Sequence, residues 1–377
     1  MVFTPIIDTI LLKVASRCNL NCTYCYVYNM GDTSWASMPK RMSVETINAT
    51  TLALSRLYQH QMRSFAIVLH GGEPLLLGLS RLRYLFSLFR EKLPHECTLN
   101  IQTNGTLITD FLLNLCTEFD VSISVSLDGP AHVHDFARTD FMGRGSHRRV
   151  LEGISRIKQH SAGECLFAGV LAVIDPTTDS SEVYQYLKSI EAPSIGLLMR
   201  DGNHSRLPPG KASFTSTEYG RWLCAFLDIY LADPVPPRVR LLDDMIKLVL
   251  GGYGQKEGIG LTDFGILVID TDGSITKHDT LKSAYNAADR FAMRWSVAAD
   301  DIIAVISSQE FLESYELQRP TARECLRCPE LKVCGGGMPL HRWHDDTGYE
   351  NESVYCHDQK LLIEHIRARL QQHLSAA

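Results

Sequence analysis

Cys18, Cys22 and Cys25 stand at spacings of four and three in the string Cys18-Asn19-Leu20-Asn21-Cys22-Thr23-Tyr24-Cys25. Three thiols this close cannot all pair as disulfides, and three thiolates leave a tetrahedral metal one ligand short. A cubane iron–sulfur cluster held by three cysteines keeps one iron open to a small molecule. The residues alone leave two readings, such a cluster or a zinc knuckle completed by a distant His or Cys. Zinc ligands usually come as two close pairs, and these three thiols follow directly on an apolar run, which disfavours zinc. A second set, Cys325, Cys328, Cys334 and Cys356, has the spacing CxxC-x5-C-x21-C. Four thiols can close a site around zinc or around a second cluster, and their spacing alone favours zinc slightly. Cys97, Cys116, Cys165 and Cys224 are scattered among apolar residues and read as small buried hydrophobes.

The elements that must position these groups alternate. Thr9 to Val14 reads as a strand, Ser43 to Tyr58 as a helix and Phe65 to His70 as a strand ending in Gly71-Gly72-Glu73-Pro74. A helix from Ser80 to Leu93 precedes a strand from Thr98 to Thr103. After a further helix, the strand Val121 to Leu127 ends in Asp128-Gly129-Pro130. The next helix keeps Val150, Ile154 and Ile157 on one face. Leu166 to Ile174 is a strand, Ser180 to Ile190 a helix and Ser194 to Leu198 a sixth strand. Six strand–helix units predict a parallel sheet with helices outside, too short for a closed eight-stranded barrel. The expected fold is α/β, a partial (β/α)6 TIM-like barrel over residues 5–235. Its chemistry belongs in the loops after the strands. From 236 to 377 the pattern changes. A helix (Leu241 to Leu250) runs into a glycine-rich stretch, then a strand pair turns at Asp272-Gly273. The second cysteine set and a helix from Gln359 to Leu370 follow.

The bulk properties narrow the classes. The chain has 377 residues, 45% hydrophobic and 21% charged, with net charge −6. No Lys/Arg block points to nucleic acid. Met1 to Ile7 lacks the pattern of a signal peptide, and no run of about 18 apolar residues spans a membrane. The first strand begins almost at once, so no separate leader-binding module is expected before it. A cytoplasmic, reducing location is expected, where clustered cysteines favour metal over disulfides.

With these residues in view, the chain resembles the radical S-adenosylmethionine (SAM) enzymes from about Asp8 to Cys356. The resemblance implies a [4Fe–4S] cluster at Cys18, Cys22 and Cys25 whose open iron is chelated by SAM. One electron then cleaves SAM to methionine and a deoxyadenosyl radical that abstracts hydrogen from the substrate. Gly71, Gly72, Glu73 and Pro74 match the segment that meets the SAM amino group. Ser126 matches a ribose-contacting serine and Tyr24 an aromatic near the adenine. Arg138, twelve residues after Ser126, matches an arginine that grips the SAM carboxylate, a task suited to a planar, permanently charged group. A surface salt bridge is the plainer alternative for Arg138. Gln102, Thr103 and Asn104 are expected to line the barrel mouth.

The C-terminal cysteines resemble a SPASM domain, implying one auxiliary [4Fe–4S] cluster at Cys325, Cys328, Cys334 and Cys356. An inner cluster found in sulfatase-maturating relatives is expected to be lost, because Met338 and His278 stand where its cysteines would be. Asp279 matches an acid proposed there as a base. A turn or helix-capping role is its plainer alternative. Cys334-Gly-Gly-Gly, His341-Arg342-Trp343, Tyr355-Cys356 and His278-Asp279-Thr280-Leu281-Lys282 resemble the FxsB-type peptide-modifying group, although His341 and Arg342 could equally be ordinary surface residues. The resemblance thus implies a maturase for a ribosomally made precursor peptide, fed by a flavodoxin- or ferredoxin-type reductant. It would take a β-carbon hydrogen and form an oxidative crosslink such as an aromatic cyclophane. Two alternatives stand beside it, oxidation of a sulfatase Ser or Cys to formylglycine and a zinc-stabilised peptide-binding scaffold.

Overall fold

Parallel strands made of alternating apolar and polar residues set the frame of this computed structural model, which describes residues 4–376. Met1–Phe3, in the N-terminal stretch read above, and Ala377, the last residue of the expected C-terminal domain, lie outside the described residues. The chain forms two compact units. One holds the chain up to Leu127, His134–Gly169 and Phe264–Tyr315. The other holds Asp128–Val133, Val170–Asp263 and the chain from Glu316 onward.

In the first unit, β1 (Thr9–Ala15), β2 (Ala66–Gly71), β3 (Leu99–Thr103) and β4 (Val121–Ser126) lie side by side and parallel. Their register aligns Leu12, Leu69, Ile101 and Ile123 in one row, and all four are fully buried. One residue further along each strand the side chains point to the other face. There Lys13 stands opposite His70 and Gln102 opposite Ser124. The two faces are therefore an apolar core row and a polar row at the strand ends. The intervening helices follow their sequence pattern. Val44–Gln61 is capped by Ser43 and buries Leu54 and Leu57, and His147–Gln159 buries Val150, Ile154 and Ile157.

The later strands divide between the two units. β5 (Phe167–Val173) and β6 (Ile195–Leu198) pair in parallel, most of β5 and all of β6 belonging to the second unit. β7 (Ile266–Ile269) pairs in parallel with the other edge of β1, β8 (Ser274–Thr276) turns back along β7, and β9 (Trp295–Ser296) adds to β8. With β2 on one edge and β7 on the other, β1 offers no edge on which a barrel could close. The partial barrel expected from six units follows from this pairing. Gly273, at φ +85°, makes the β7–β8 turn.

The second unit packs the helix Glu218–Ala232 against the helix Cys356–Ala376. Gly220 admits Asp358, whose carboxylate accepts from the Gly220 N–H at 2.7 Å and pairs with fully buried Lys211 at 2.6 Å. This last helix starts at Cys356 rather than at Gln359, because the buried Tyr355 and Asp358 anchor the turn before it. Cys97, Cys116 and Cys224 are buried as expected, but Cys165 is exposed. It sits in a single helical turn, Gly163–Leu166, that turns Leu166 and Gly163 inward and Cys165 outward.

Gly265 locks β7 to the start of β1. Its carbonyl accepts from the Asp8 and Thr9 N–H groups, and a Cβ there would collide with the Ile6 carbonyl. Gly265→Ala is expected to cost about 2 kcal/mol of stability, measured by urea unfolding.

Candidate functional site

The backbone at the end of β2 crosses the backbone at the end of β1 at close range. Gly72 N–H donates to the Ala15 carbonyl at 2.8 Å and Glu73 N–H to the Arg17 carbonyl at 2.9 Å. A Cβ at Gly71 (φ +135°) would strike the Ala15 carbonyl, and one at Gly72 would strike the Tyr28 hydroxyl and the Arg17 carbonyl. Only glycines fit here. Both N–H groups are thus engaged by strand-end carbonyls. Pro74 opens the short helix Pro74–Leu77. Glu73 is buried and accepts from the Thr103 hydroxyl (2.6 Å), the Asn104 N–H (2.9 Å) and the Leu75 N–H (3.1 Å). Burial still pushes its pKa up to about 7.

The thiol loop hangs from this crossing. Cys18 Sγ accepts from the Leu20 N–H at 3.4 Å and from the Asn104 amide at 3.7 Å. Asn104 is itself fixed by Asn19 and Thr106. Asn29 ties down the Cys22 carbonyl at 2.8 Å. The loop is also laced to the segment that carries Arg138, through Thr23 N–H to the Ala137 carbonyl (2.9 Å) and Asn21 N–H to the Thr139 carbonyl (2.7 Å). Arg138 is buried, not a surface residue. It is 8% exposed, and its guanidinium lies 5.3 Å from the centre of the Tyr24 ring. Ser126, at the end of β4, accepts from the Gln102 amide at 3.1 Å.

Asp279 is not the helix cap. His278 takes that place, its side chain accepting from Thr280, and Asp279 turns inward, 2% exposed. Its Oδ1 pairs with Lys13 of β1, and its Oδ2 accepts from the Tyr26 hydroxyl at 2.5 Å. Burial alone would raise its pKa, but Lys13, Lys282 and His70 outweigh burial and hold it well below the usual carboxylate range. Burial would likewise lower Lys13, but Asp279 and Asp270 raise it above the usual lysine range. Lys282 in turn pairs with Asp289 at 2.7 Å and Asp32 at 3.4 Å. Lys13, Tyr26 and His70 were not singled out from the sequence. The signal for Lys13 was a lone cation inside the apolar run Thr9-Ile-Leu-Leu-Lys-Val-Ala.

The second thiol set belongs to the other unit. Cys325 and Cys328 lie on successive turns, with Cys328 N–H donating to the Cys325 carbonyl at 3.0 Å. Cys334 ends the helix Leu331–Cys334, and Gly335, Gly336 and Gly337 follow at φ +70°, +82° and +71°. Three successive left-handed residues explain the triple glycine. Gln359, three residues after Cys356 on its helix, places its amide 2.8 Å from Cys334 Sγ. Met338 packs on Gly258, and the sequence has no cysteine between Cys224 and Cys325. His341 and Arg342 are buried rather than surface residues. Arg342 holds the Leu317 and Arg319 carbonyls, and His341 packs edge-on to Tyr355 at 4.9 Å. Burial pushes His341 down to about 3, so its ring is neutral.

Both thiol sets supply the donors that an iron–sulfur cluster takes. Burial pushes Cys18 up to about 12 and Cys25 to about 11, with neighbouring thiols adding to the shift for both. Cys325 (about 11) and Cys334 (about 12) behave alike. Such thiols release their protons only to a strongly positive centre. A cubane takes one thiolate at each of its irons, which spreads the sulfurs apart.

The comparisons with known proteins agree with this donor set. A family model, the radical SAM superfamily, matches residues 12–184. That segment is a radical SAM domain. It is 22% identical to a cysteine-type anaerobic sulfatase-maturating enzyme of Clostridium perfringens, over 97% of this chain and 98% of the relative. A solved structure of native anSMEcpe with bound AdoMet and the Cp18Cys peptide superposes with TM-score 0.81 at 21% identity, over 98% of this chain and 99% of that one. Streptococcus suis SuiB bound to the precursor peptide SuiA gives TM-score 0.63 at 12% identity, over 93% and 76%. These likenesses establish a shared fold. The residues matched to the radical SAM model include the thiol loop, the Gly71-Gly72 crossing and Arg138.

Removing Lys13 would strand Asp279 as a buried charge. Lys13→Met is expected to destabilise the enzyme by about 3–5 kcal/mol. The double variant K13M/D279L should recover part of that loss, a non-additivity read from a double-mutant cycle in urea.

Proposed function

We propose that this enzyme oxidises a side chain within a peptide, in the manner of sulfatase maturation, where a Ser or Cys becomes formylglycine. The observation that carries the reading is the buried, anionic Asp279 with Lys13 and Tyr26 at the strand ends of the unit that holds the thiol loop. Oxidation of a Cβ–OH or Cβ–SH group sheds a proton as well as a hydrogen atom, and a site built around acid–base groups suits it. Further support comes from the sulfatase-maturating relative, whose likeness runs over nearly the full length of both chains. This reorders the expectation from sequence, which put crosslinking first.

In this reading, residues 5–235 generate the radical and 236–377 carry the auxiliary centre. Cys18, Cys22 and Cys25 hold a [4Fe–4S] cluster. Gly71, Gly72, Glu73 and Pro74 receive the SAM ammonium, Ser126 its ribose and Tyr24 its adenine, and Arg138, stacked on Tyr24, its carboxylate. When bound, the cluster and SAM supply a deoxyadenosyl radical that takes hydrogen from the substrate. The acid–base cluster around Asp279, the candidate catalytic residue, manages the proton released on oxidation. Cys325, Cys328, Cys334 and Cys356 hold one closed auxiliary cluster for the departing electron. The partners are a precursor or sulfatase peptide and a flavodoxin- or ferredoxin-type reductant in the cytoplasm. Among the described residues no helix is long and apolar enough to cross a membrane.

Oxidative crosslinking, such as a cyclophane in a ribosomal precursor peptide, is the second reading. The likeness to SuiB, solved with a precursor peptide bound, supports a precursor peptide as substrate in this reading. Ser oxidation and crosslinking both remove two hydrogens, so mass alone does not separate them. Hydrazide labelling does, because only formylglycine carries an aldehyde. Cys18→Ala is expected to abolish SAM cleavage and remove one cubane's worth of iron. Cys356→Ala should keep SAM cleavage and lose modified peptide, as followed by iron and sulfide analysis with tandem mass spectrometry. SAM cleavage surviving in C18A overturns the assignment.

A further inference from the structure

Four polar side chains meet at the ends of β1 and β2, and they are not equivalent. Asp279 has both oxygens engaged, one by Lys13 and one by Tyr26 at 2.5 Å. A carboxylate held by two strong donors, one of them a cation, is a poor acceptor of another proton. His70 differs. It stands opposite Lys13 in the parallel register, directly before the Gly71-Gly72 crossing. Its ring is stacked near Tyr26, centroids 6.5 Å apart and planes 25° apart. Its Nδ1 is buried and has no hydrogen-bond partner, whereas buried polar atoms nearly always have one. Burial lowers its pKa, with Asp279 opposing and Lys13 adding to the shift, so the ring is neutral and can accept a proton at pH 7.

We propose that His70, rather than Asp279, takes the proton shed by the substrate side chain, and that Asp279, Lys13 and Tyr26 are positioning residues that fix its ring and surround the imidazolium with a carboxylate. The inference rests on the oxidation reading above. The step balances as follows. The hydrogen atom on Cβ leaves to the deoxyadenosyl radical. One electron would go to an oxidised iron–sulfur centre that Cys325, Cys328, Cys334 and Cys356 would hold. The proton on Oγ or Sγ goes to His70 as the carbon–oxygen or carbon–sulfur double bond forms.

The test uses the reconstituted full chain and a synthetic peptide bearing a sulfatase Cys or Ser site, deuterated at Cβ. In H70Q, deuterium should still pass into 5′-deoxyadenosine, while aldehyde formation falls by about 100-fold or more. The wild-type rate should fall as pH drops below the imidazole range, and H70Q should lose that acidic limb. Added imidazole should restore part of the aldehyde yield in H70A. Wild-type aldehyde yield with an unchanged acidic limb in H70Q overturns the role. Loss of deuterium transfer in parallel with product, without imidazole rescue of H70A, assigns His70 to structure and also overturns it. A wild-type enzyme that forms no aldehyde overturns the oxidation reading itself, and this inference with it.

Discussion

The crossing of β2 over the end of β1 is the constraint on which the first unit's site depends. Two glycines bring the Gly72 and Glu73 N–H groups onto the Ala15 and Arg17 carbonyls, a contact no side chain at either position would allow. Everything downstream inherits that geometry. Arg17 immediately precedes Cys18, so the thiol loop begins from a pinned backbone. Glu73 is carried inward to bind Thr103 and Asn104 at the end of β3, and Asn104 reaches back to Cys18. The ends of three strands and the first thiol are thereby linked through short polar contacts. A cluster-binding loop gains rigidity from a shell of this kind, since fixed donors around the sulfurs orient the ligands and tune the centre they hold.

A second network, of charges, lies beside the first. Lys13 and Lys282 are buried with Asp32, Asp270, Asp279 and Asp289. Buried ions of this sort seldom add net stability over an apolar core, because desolvation offsets the attraction. Their value lies in the orientation and charge state they impose. Lys13 keeps Asp279 ionised, Asp279 keeps Lys13 charged, and Tyr26 joins that pair to the thiol loop one residue after Cys25. The pairing also explains why Asp279 does not cap its short helix, a task left to His278.

Much of the first unit could be read from the residues. The periods of the strands and helices identified β1 to β6, and the amphipathic face holding Val150, Ile154 and Ile157 is buried. Spacing singled out both thiol sets, whereas the glycine pair and Arg138 stood out only through the family resemblance. The contacts that local spacing does not encode were out of reach. The pairing of β7 with β1 joins segments about 250 residues apart, and β9 is only two residues long. Lys13 and His70 carry no motif, and their meaning appears only when the register sets them opposite each other. A surface position stayed open for His341 and Arg342 because nothing nearby in sequence announces the backbone carbonyls and the Tyr355 ring that receive them.

The order of substrate readings turns on where an electron leaves. Hydrogen abstraction from Cβ gives a carbon radical, and either an aldehyde or a crosslink requires one further electron to depart. The proposed auxiliary centre is closed by four thiols, so it has no position for substrate and serves as an acceptor only through its potential. The charges around those thiols bear on that potential. Lys360, one turn after Cys356 on the same helix, lies beside that thiol, and buried Arg342 faces Cys325 and Cys334, while Glu352 opposes them. A net cationic shell favours the more negative, reduced state of a centre. With no cysteine from 225 to 324 and Met338 packed on Gly258, a second auxiliary centre lacks ligands, and a single acceptor fits a reaction that releases one electron per turnover.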